Sequence, residues 1–319
     1  MEQLKVVELF GGIGAIRKAL ERQKFDFKVV DYVENNKFAV DSYNALFNEE
    51  YYPNSVVRYE IDMPCDFLFH GSPCQDFSII GRRQGGKKDS KTRSSLLFET
   101  IRILKEMKYK PRWVIWENVK GALSEEYSSF SFYLEEMEKL GYQNKFEILN
   151  SIDFGIPQKR ERVFVISFLG KNEFDFSKLE KKKMAKLEDF LQSDFDEKYI
   201  VTQKSILDCI GKKTTTQKRA RIIKDYVYTI MIKQVRLPNS GLVDLKNGKY
   251  RFLTERECFR LMGFDDEDFE RILKVVKIDK NKLSSNLYKL AGNSIVVNVL
   301  EAILKEIRRL EDKDEKISL

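Results

Sequence analysis

The sequence predicts an α/β protein, an open sheet of strands alternating with helices and accompanied by a smaller mixed domain. Three observations lead there. Short apolar runs at 5–10, 28–33, 66–70 and 113–116 are separated by stretches with helical apolar spacing. The first run passes at once through Gly11-Gly12-Ile13-Gly14 into a helical pattern carried by Ile16, Ala19 and Leu20. After Gly170 the composition shifts to Lys and Glu with poor periodicity, which marks a boundary.

Taken in order, the glycines after the 5–10 strand let backbone approach a ligand closely, just before a helix amino terminus. The second strand, 28–33, ends at Glu34, twenty residues after Gly14, the spacing at which a carboxylate reaches ribose hydroxyls in a Rossmann-type unit. Together these features point to an adenosine-containing cofactor. The G-x-G-x-x-G fingerprint is absent, and Phe10-x-Gly12-x-Gly14 suits S-adenosylmethionine, which needs no pyrophosphate cradle, with a nicotinamide cofactor as the competitor on this motif alone. A helix is expected over 38–47 and a strand over 56–61, where Glu60, Ile61 or Asp62 would meet an adenine.

The run 66–70 reads as a buried strand, broken by Gly71-Ser72-Pro73 so that Cys74 stands at its carboxyl edge, the ligand-binding edge of an open α/β sheet. A nucleophile suits that place; a small buried thiol is the competing reading. The polar stretch 76–95, with Arg82 and Arg83 among its basic residues and several glycines, reads as a mobile lid over nucleic acid rather than a plain surface loop. A helix over 96–107 and a buried strand over 113–116 follow, and Glu117 stands at that strand's carboxyl edge. A helix over 130–140 and strands over 145–150 and 163–168 complete the first unit. Between those strands lies Gln158-Lys159-Arg160-Glu161-Arg162, whose plain alternative is a charged hairpin.

Beyond 170 the pattern gives short strands over 227–235 and 242–245, turns at Asn239-Ser240-Gly241 and Asn247-Gly248, and an N-capped helix within 253–264 ending at Gly263. Ala291-Gly292-Asn293-Ser294 then leads into a final helix with apolar Ile295, Val299, Ile303 and Ile307.

Composition narrows the function. With 319 residues, 42% of them hydrophobic, 23 Phe and 14 Tyr, the chain can bury a sizeable core. No apolar run approaches the roughly 20 residues of a bilayer span, and no signal peptide is expected, since a strand begins within a few residues. The four cysteines (Cys65, Cys74, Cys209, Cys258) lack metal-ligand spacing and His70 is the sole histidine, which speaks against zinc, a disulfide framework and a Ser-His-Asp mechanism, and for a reducing cytosol. The net charge of +7 sits in one stretch. Residues 171–250 carry 18 Lys or Arg against 11 Asp or Glu, and 198–236 alone holds ten basic and two acidic side chains, a polyanion-facing surface rather than a merely solvated one.

Phe-x-Gly-x-Gly at 10–14, Pro-Cys-Gln at 73–75, Glu-Asn-Val at 117–119, Gln-x-Arg-x-Arg at 158–162, Arg-Glu-Cys at 256–258 and Gly-Asn-Ser at 292–294 occur together in this order. In this the chain resembles the bacterial and phage cytosine-C5 DNA methyltransferases. The resemblance implies a Rossmann-like S-adenosylmethionine-dependent methyltransferase sheet with helices on both faces, spanning 1–170. It also implies a smaller mixed target-recognition domain over 171–284 and a C-terminal helix over 285–319 that returns to the first domain.

By the same resemblance, Cys74 is the covalent nucleophile toward cytosine C6, Glu117 holds the N3 and 4-amino edge, and Arg160 and Arg162 contact O2 or orient the pair. Phe10, Gly12, Gly14, Glu34, Glu60, Ile61, Pro73, Leu96 and Asn293 match cofactor positions; which of Glu60 and Asp62 meets the adenine stays open. Gln75, Ser78, Arg82, Arg83, Gln217, Arg219 and Thr229 are the expected DNA contacts. The implied cofactor is S-adenosylmethionine, leaving as S-adenosylhomocysteine, with no metal. The implied partner is double-stranded DNA, beside a restriction endonuclease acting independently, for a cytoplasmic monomer with no membrane association. A tRNA cytosine methyltransferase and a catalytically idle DNA-binding regulator of the same fold are the alternatives; intact Cys74, Glu117 and Arg160 speak against the second.

Overall fold

The computed structural model describes residues 3–72, 96–123, 129–171, 173–211, 220–234 and 239–317, with backbone only at 313–317. A six-stranded sheet in the order β2-β1-β3-β4-β7-β5 organises the chain. Its strands are β1 (Leu4–Leu9), β2 (Phe27–Val33), β3 (Phe67–His70), β4 (Trp113–Val119), β5 (Gln143–Asn150) and β7 (Glu161–Phe168). The first four pair in parallel, and β7 runs antiparallel between β4 and β5.

Alternation along these strands divides the core in two. Val6, Phe67, Phe69, Trp113, Ile115, Phe164 and Ile166 face one side, against α1 (Ala15–Arg22), α2 (Lys37–Phe47), α6 (Glu255–Leu261), α7 (Asp266–Leu273), α8 (Ser285–Asn293) and α9 (Val297–Ile317). Val7, Leu68, Val114, Trp116, Val163 and Val165 face the other, against α3 (Leu96–Glu106) and α4 (Ser129–Lys139). The sheet is buried on both faces, which is why its strands read as unbroken apolar runs.

Helix ends follow local chemistry. Asn36 caps α2 by accepting from the Phe38 and Ala39 amides. Thr254 and Glu257 form a reciprocal capping box on α6, and Gly263, at φ 89°, lies beyond its end. The Cβ of any other residue at Gly263 would meet Asn298 Oδ1 at 2.6 Å.

Within 171–284, Phe174, Leu179, Leu187 and many apolar residues of 253–276 join the core under the sheet. Val201, Ile206, Ala220, Leu242 and Phe252 form a separate small core. Around the latter lie α5 (Lys204–Leu207) and the antiparallel pair β9 (Val243–Asp244) and β10 (Tyr250–Arg251).

Several expectations are corrected. The segment 56–61 is not a strand: it turns at 56–58, with Arg58 at φ 60°. Three of its backbone groups bond to side chains of α3, with Arg102 donating to the Val56 and Tyr59 carbonyls and Glu99 accepting from the Arg58 amide, which takes them out of a ladder. The charged segment does join the antiparallel strands β5 and β7, and within that connection Gln158 and Lys159 also form β6 (Gln158–Lys159), paired in parallel with β8 (Val227–Tyr228), where no strand was expected. The 227–235 strand stops at Tyr228, since side chains take the backbone groups of Ile230. Residues 291–293 close α8 rather than open the last helix. Finally, among the described residues one stretch does reach membrane-spanning length and apolarity, Ser285–Asp312, but 72% of its apolar 18-residue window is buried inside the protein, as a core helix would be.

Candidate active site

The carboxyl ends of β2, β1, β3 and β4 lie side by side, with Val33 beside Leu9, Leu9 beside His70 and His70 beside Trp116. The residues that follow therefore share one edge: Glu34, the 10–14 loop, Gly71-Ser72 and Glu117. Because β1 connects to β2 on one side and β3 returns on the other, this edge is the switch-point crevice of an open α/β sheet.

The loop after β1 needs its glycines. Phe10, Gly12 and Gly14 have φ of 54°, 56° and 80°, and a Cβ on Gly14 would lie 2.3 Å from the Phe47 ring. Gly12 instead borders open space. Its amide donates to Glu34 Oε2 at 3.3 Å, while Glu34 Oε1 accepts from the Asn36 amide at 2.8 Å. Burial raises the Glu34 pKa, against those amides and Lys289, which lower it. Asn293 is exposed one helical turn beyond Lys289, on the same face of α8. Leu96 is half-buried at the start of α3, Ile61 is buried, and Glu60 and Asp62 are both exposed.

Beneath the loop lies a group the sequence reading missed. Glu8, the last residue but one of β1, is fully buried and accepts from the Tyr43 hydroxyl at 2.9 Å. Its Oε2 has no hydrogen-bond partner among the described residues. Burial pushes its pKa up to about 7, against the Tyr43 bond and the Arg17 charge. Tyr32 stacks on Tyr43 at 3.9 Å and donates to the Gly12 carbonyl at 2.6 Å, so this polar cluster supports the loop from behind. The signal was available: one acid within the apolar run Val6-Val7-Glu8-Leu9-Phe10.

At the end of β3, His70 is buried and stacked on Trp116, with Nε2 3.1 Å from the Tyr133 hydroxyl. Burial lowers its pKa to about 3, which keeps it neutral and outside proton transfer at ordinary pH. Ser72 accepts from Trp116 Nε1 at 3.2 Å and Asn118 Nδ2 at 3.3 Å, tying the turn to β4. Pro73, Cys74, Gln75, Ser78, Arg82 and Arg83 lie outside the described residues.

Glu117 and Arg162 meet. Arg162 Nε lies 3.2 Å from Glu117 Oε1, with both side chains mostly buried. Burial raises the Glu117 pKa, opposed by Arg162 and then Arg160. Arg160 faces elsewhere: its guanidinium donates to the carbonyls of Ile230 at 3.0 Å, Gly292 at 3.1 Å and Ser294 at 2.8 Å. Gln158, also buried, donates to the Leu261 carbonyl at 2.9 Å and accepts from the Ile230 amide at 3.1 Å. Thr229 donates to the Lys159 carbonyl at 2.9 Å, while Gln217 and Arg219 lie outside the described residues. On the same segment the exposed Arg221 guanidinium sits 4.3 Å over the Tyr228 ring. Among the described residues no cluster of three or more His, Cys, Asp or Glu could hold a metal.

Comparisons with known proteins converge. Residues 4–309 match the family described as C-5 cytosine-specific DNA methylase. The type II methyltransferase M2.ScrFI of Lactococcus lactis subsp. cremoris is 37% identical over 259 residues, covering 76% of this chain, which spans 66% of that relative's length. The type II methyltransferase M.DsaV of Dactylococcopsis salina is 32% identical over 330 residues, covering 99% of this chain and 89% of its own. The Entamoeba histolytica methyltransferase EhMeth shares the fold, with a TM-score of 0.76 at 22% identity over 96% of this chain and 98% of that one. With the family match spanning nearly the whole sequence, the chain belongs to the C-5 cytosine-specific DNA methylases, a family of DNA cytosine-5-methyltransferases.

Proposed function

We propose that this protein methylates C5 of a flipped cytosine in a short duplex DNA site, with S-adenosylmethionine as donor and Cys74 as covalent nucleophile. The observation that carries this reading is the Glu117–Arg162 pair at the carboxyl end of β4, on the same sheet edge as the glycine loop and Glu34.

The edge suits the cofactor chemically. Glu34 offers a carboxylate to a ribose diol, Phe10 an aromatic face, and Gly12 and Gly71 leave open space where a Cβ would stand. Phe10, Gly12, Gly14, Glu34, Ile61, Pro73, Leu96 and Asn293, with Glu60 or Asp62, would hold S-adenosylmethionine. Once bound, it supplies the methyl group that C5 receives.

The other parts of the reaction belong to the chain. The Cys74 thiolate adds to C6 and makes C5 enamine-like; since an unperturbed thiol has a pKa near about 8.5, its surroundings must favour the anion. Glu117, its carboxyl raised by burial, holds the N3 edge and gives N3 a proton as sulfur adds. Arg162 aligns Glu117 and reaches toward O2, with Arg160 orienting the pair. After transfer the C5 proton passes to solvent water, the C6–sulfur bond breaks with its electron pair leaving on the Cys74 thiolate, and the N3 proton returns to Glu117. A base inside a duplex is out of reach, so the cytosine must leave the stack.

Residues 171–284 would read the site, with the small core at 201–252 and its basic surface facing DNA, while 285–319 returns to the sheet. Gln75, Ser78, Arg82, Arg83, Gln217, Arg219 and Thr229 are the proposed DNA contacts. The relatives named type II methyltransferases support a restriction-modification role, in which a monomer would act independently of its endonuclease.

The test is tritiated S-adenosylmethionine with duplexes carrying 5-fluorocytosine in many contexts. Fluorine at C5 cannot leave as a proton, so turnover through Cys74 traps the protein on DNA. A labelled adduct lost in Cys74→Ser bears the reading out; wild-type turnover without an adduct, or an adduct retained in that variant, sinks the nucleophile.

A further inference from the structure

Two buried side chains beside the Glu117–Arg162 pair are spent on backbone groups of distant segments. Arg160 binds the carbonyls of Ile230, Gly292 and Ser294. Gln158 accepts from the amide of the same residue, Ile230, and donates to the Leu261 carbonyl at the end of α6. These bonds bring four parts of the chain to one point: the segment after β8, the end of α6, the α8–α9 junction, and the consecutive strands β6 and β7, the second of which carries Arg162.

Packing at that point has little slack. A Cβ on Gly292 would lie 2.6 Å from the Met231 carbonyl carbon and 2.7 Å from the Ile232 nitrogen. The 231–232 peptide therefore rests directly on the Gly292 backbone, and Arg160 holds the Gly292 carbonyl together with that of Ile230, one residue before this peptide. The neighbouring segment also presents exposed Arg221, Lys224 and Lys233. Any force that DNA exerts on this segment reaches the Ile230 carbonyl, which bonds to Arg160, two residues from Arg162 on the continuous β6–β7 chain.

We propose that Arg160 and Gln158 are positioning residues that couple the DNA-facing 227–234 segment to the Glu117–Arg162 pair, with Arg160 acting through the Ile230, Gly292 and Ser294 carbonyls rather than on the base. The proposal rests on the assignment of Glu117 and Arg162 to the reacting cytosine. It explains why an arginine stands here: a planar fork satisfies several carbonyls that a lysine's single ammonium could not meet together.

The test is a double-variant cycle in the full chain, with Arg160→Ala, Gly292→Ala and both together. Single-turnover methyl transfer to unmethylated phage DNA is measured beside S-adenosylmethionine and DNA affinities, at a temperature where each variant is folded. Each single variant should slow transfer by on the order of 10- to 100-fold, since misplacement of about 1 Å costs that much, with both affinities within roughly threefold of wild type. The double variant should be no slower than the slower single one, because both changes break the same contact.

Unchanged rates in folded single variants would reduce Arg160 to a structural role and overturn the coupling. Losses that multiply in the double variant would also overturn it, because that is what an independent contact between Arg160 and the base predicts. Should Arg160→Ala fail to fold, Arg160→Lys takes its place in the cycle with the same expectations. Glu117→Gln separates the two proposals: if that variant transfers methyl at the wild-type rate, the assignment of the catalytic pair fails, whatever the cycle shows.

Discussion

Glu117 and Arg162 are diagonal neighbours across two antiparallel strands: Glu117 stands opposite Phe164, and Arg162 lies two residues along on the same face, its Nε 3.2 Å from the carboxylate. Their charges bear on one another in a largely buried place. Burial raises the Glu117 pKa and Arg162 holds it down.

The sign of a pH effect follows. If protonated Glu117 donates to N3, the single-turnover rate falls as pH rises through its pKa. Removing the Arg162 charge lets that pKa climb, so in Arg162→Gln the descending limb should move to higher pH. The maximal rate should drop by roughly 10- to 100-fold, the worth of one charge-assisted hydrogen bond. Glu117→Gln should abolish the limb. A limb unmoved in Arg162→Gln and still present in Glu117→Gln would assign the titration to another group.

Glu8 gives a stability prediction of opposite use. Its carboxyl is raised from an ordinary 4.5 to about 7, chiefly by burial. An acid with a raised folded pKa favours the fold fully below its unfolded value, and that contribution is lost as pH rises through the folded one. Wild-type stability should therefore decline between about 4.5 and 7, beyond what Glu8→Gln shows. Above that window Glu8→Gln, which keeps an acceptor for the Tyr43 hydroxyl, should be the more stable chain by up to about 3 kcal/mol. Urea midpoints at several pH values check this; parallel curves would mean that Glu8 is already relieved of its charge by a route other than protonation.

What could be read beforehand was what is local. The β1 strand, the glycine loop and Glu34 form one short supersecondary unit, and two of its three left-handed positions, 10, 12 and 14, announce themselves as glycines. The Glu117–Arg162 pairing depends on the β4–β7 register, and the hold of Arg160 on Ile230 spans 70 residues. Neither leaves a mark on its own segment. The 56–61 segment misled because its Val, Tyr and Ile suit a strand, whereas Arg102 and Glu99 of α3 took its backbone groups. The helix α7 was hidden by charge: of its eight residues only Phe269 and Ile272 are buried apolar ones.

The basic segment predicts a salt response. If lysines and arginines of 198–236 meet phosphates, the logarithm of DNA affinity should fall linearly with that of salt concentration. Arg221 and Lys224 are exposed, and Lys224→Gln should lower the slope by roughly 1 while weakening all sequences alike. Arg221→Gln also removes the contact over the Tyr228 ring. A slope unchanged in the double variant would place the phosphates elsewhere on the protein.

A buried ion pair ties the short strand β10 to helix α6. Arg251, at the end of β10, binds both carboxylate oxygens of Glu257 at 2.8 Å, and the side chains are 2% and 0% exposed. Glu257 also accepts from the Thr254 amide at 2.8 Å, which closes the capping box of α6, and from the Gln192 amide at 2.7 Å. Glu257→Gln keeps one acceptor but leaves the Arg251 charge buried without its counter-ion. Breaking such a pair costs about 3 to 5 kcal/mol, whereas removing both charges costs far less. The urea midpoint of Glu257→Gln should fall accordingly, and Arg251→Met added to it should restore part of the loss. If the second change lowers stability further, the guanidinium is held chiefly by the Phe252 and Gln192 carbonyls, to which it also donates, and by the Phe195 ring 4.6 Å away.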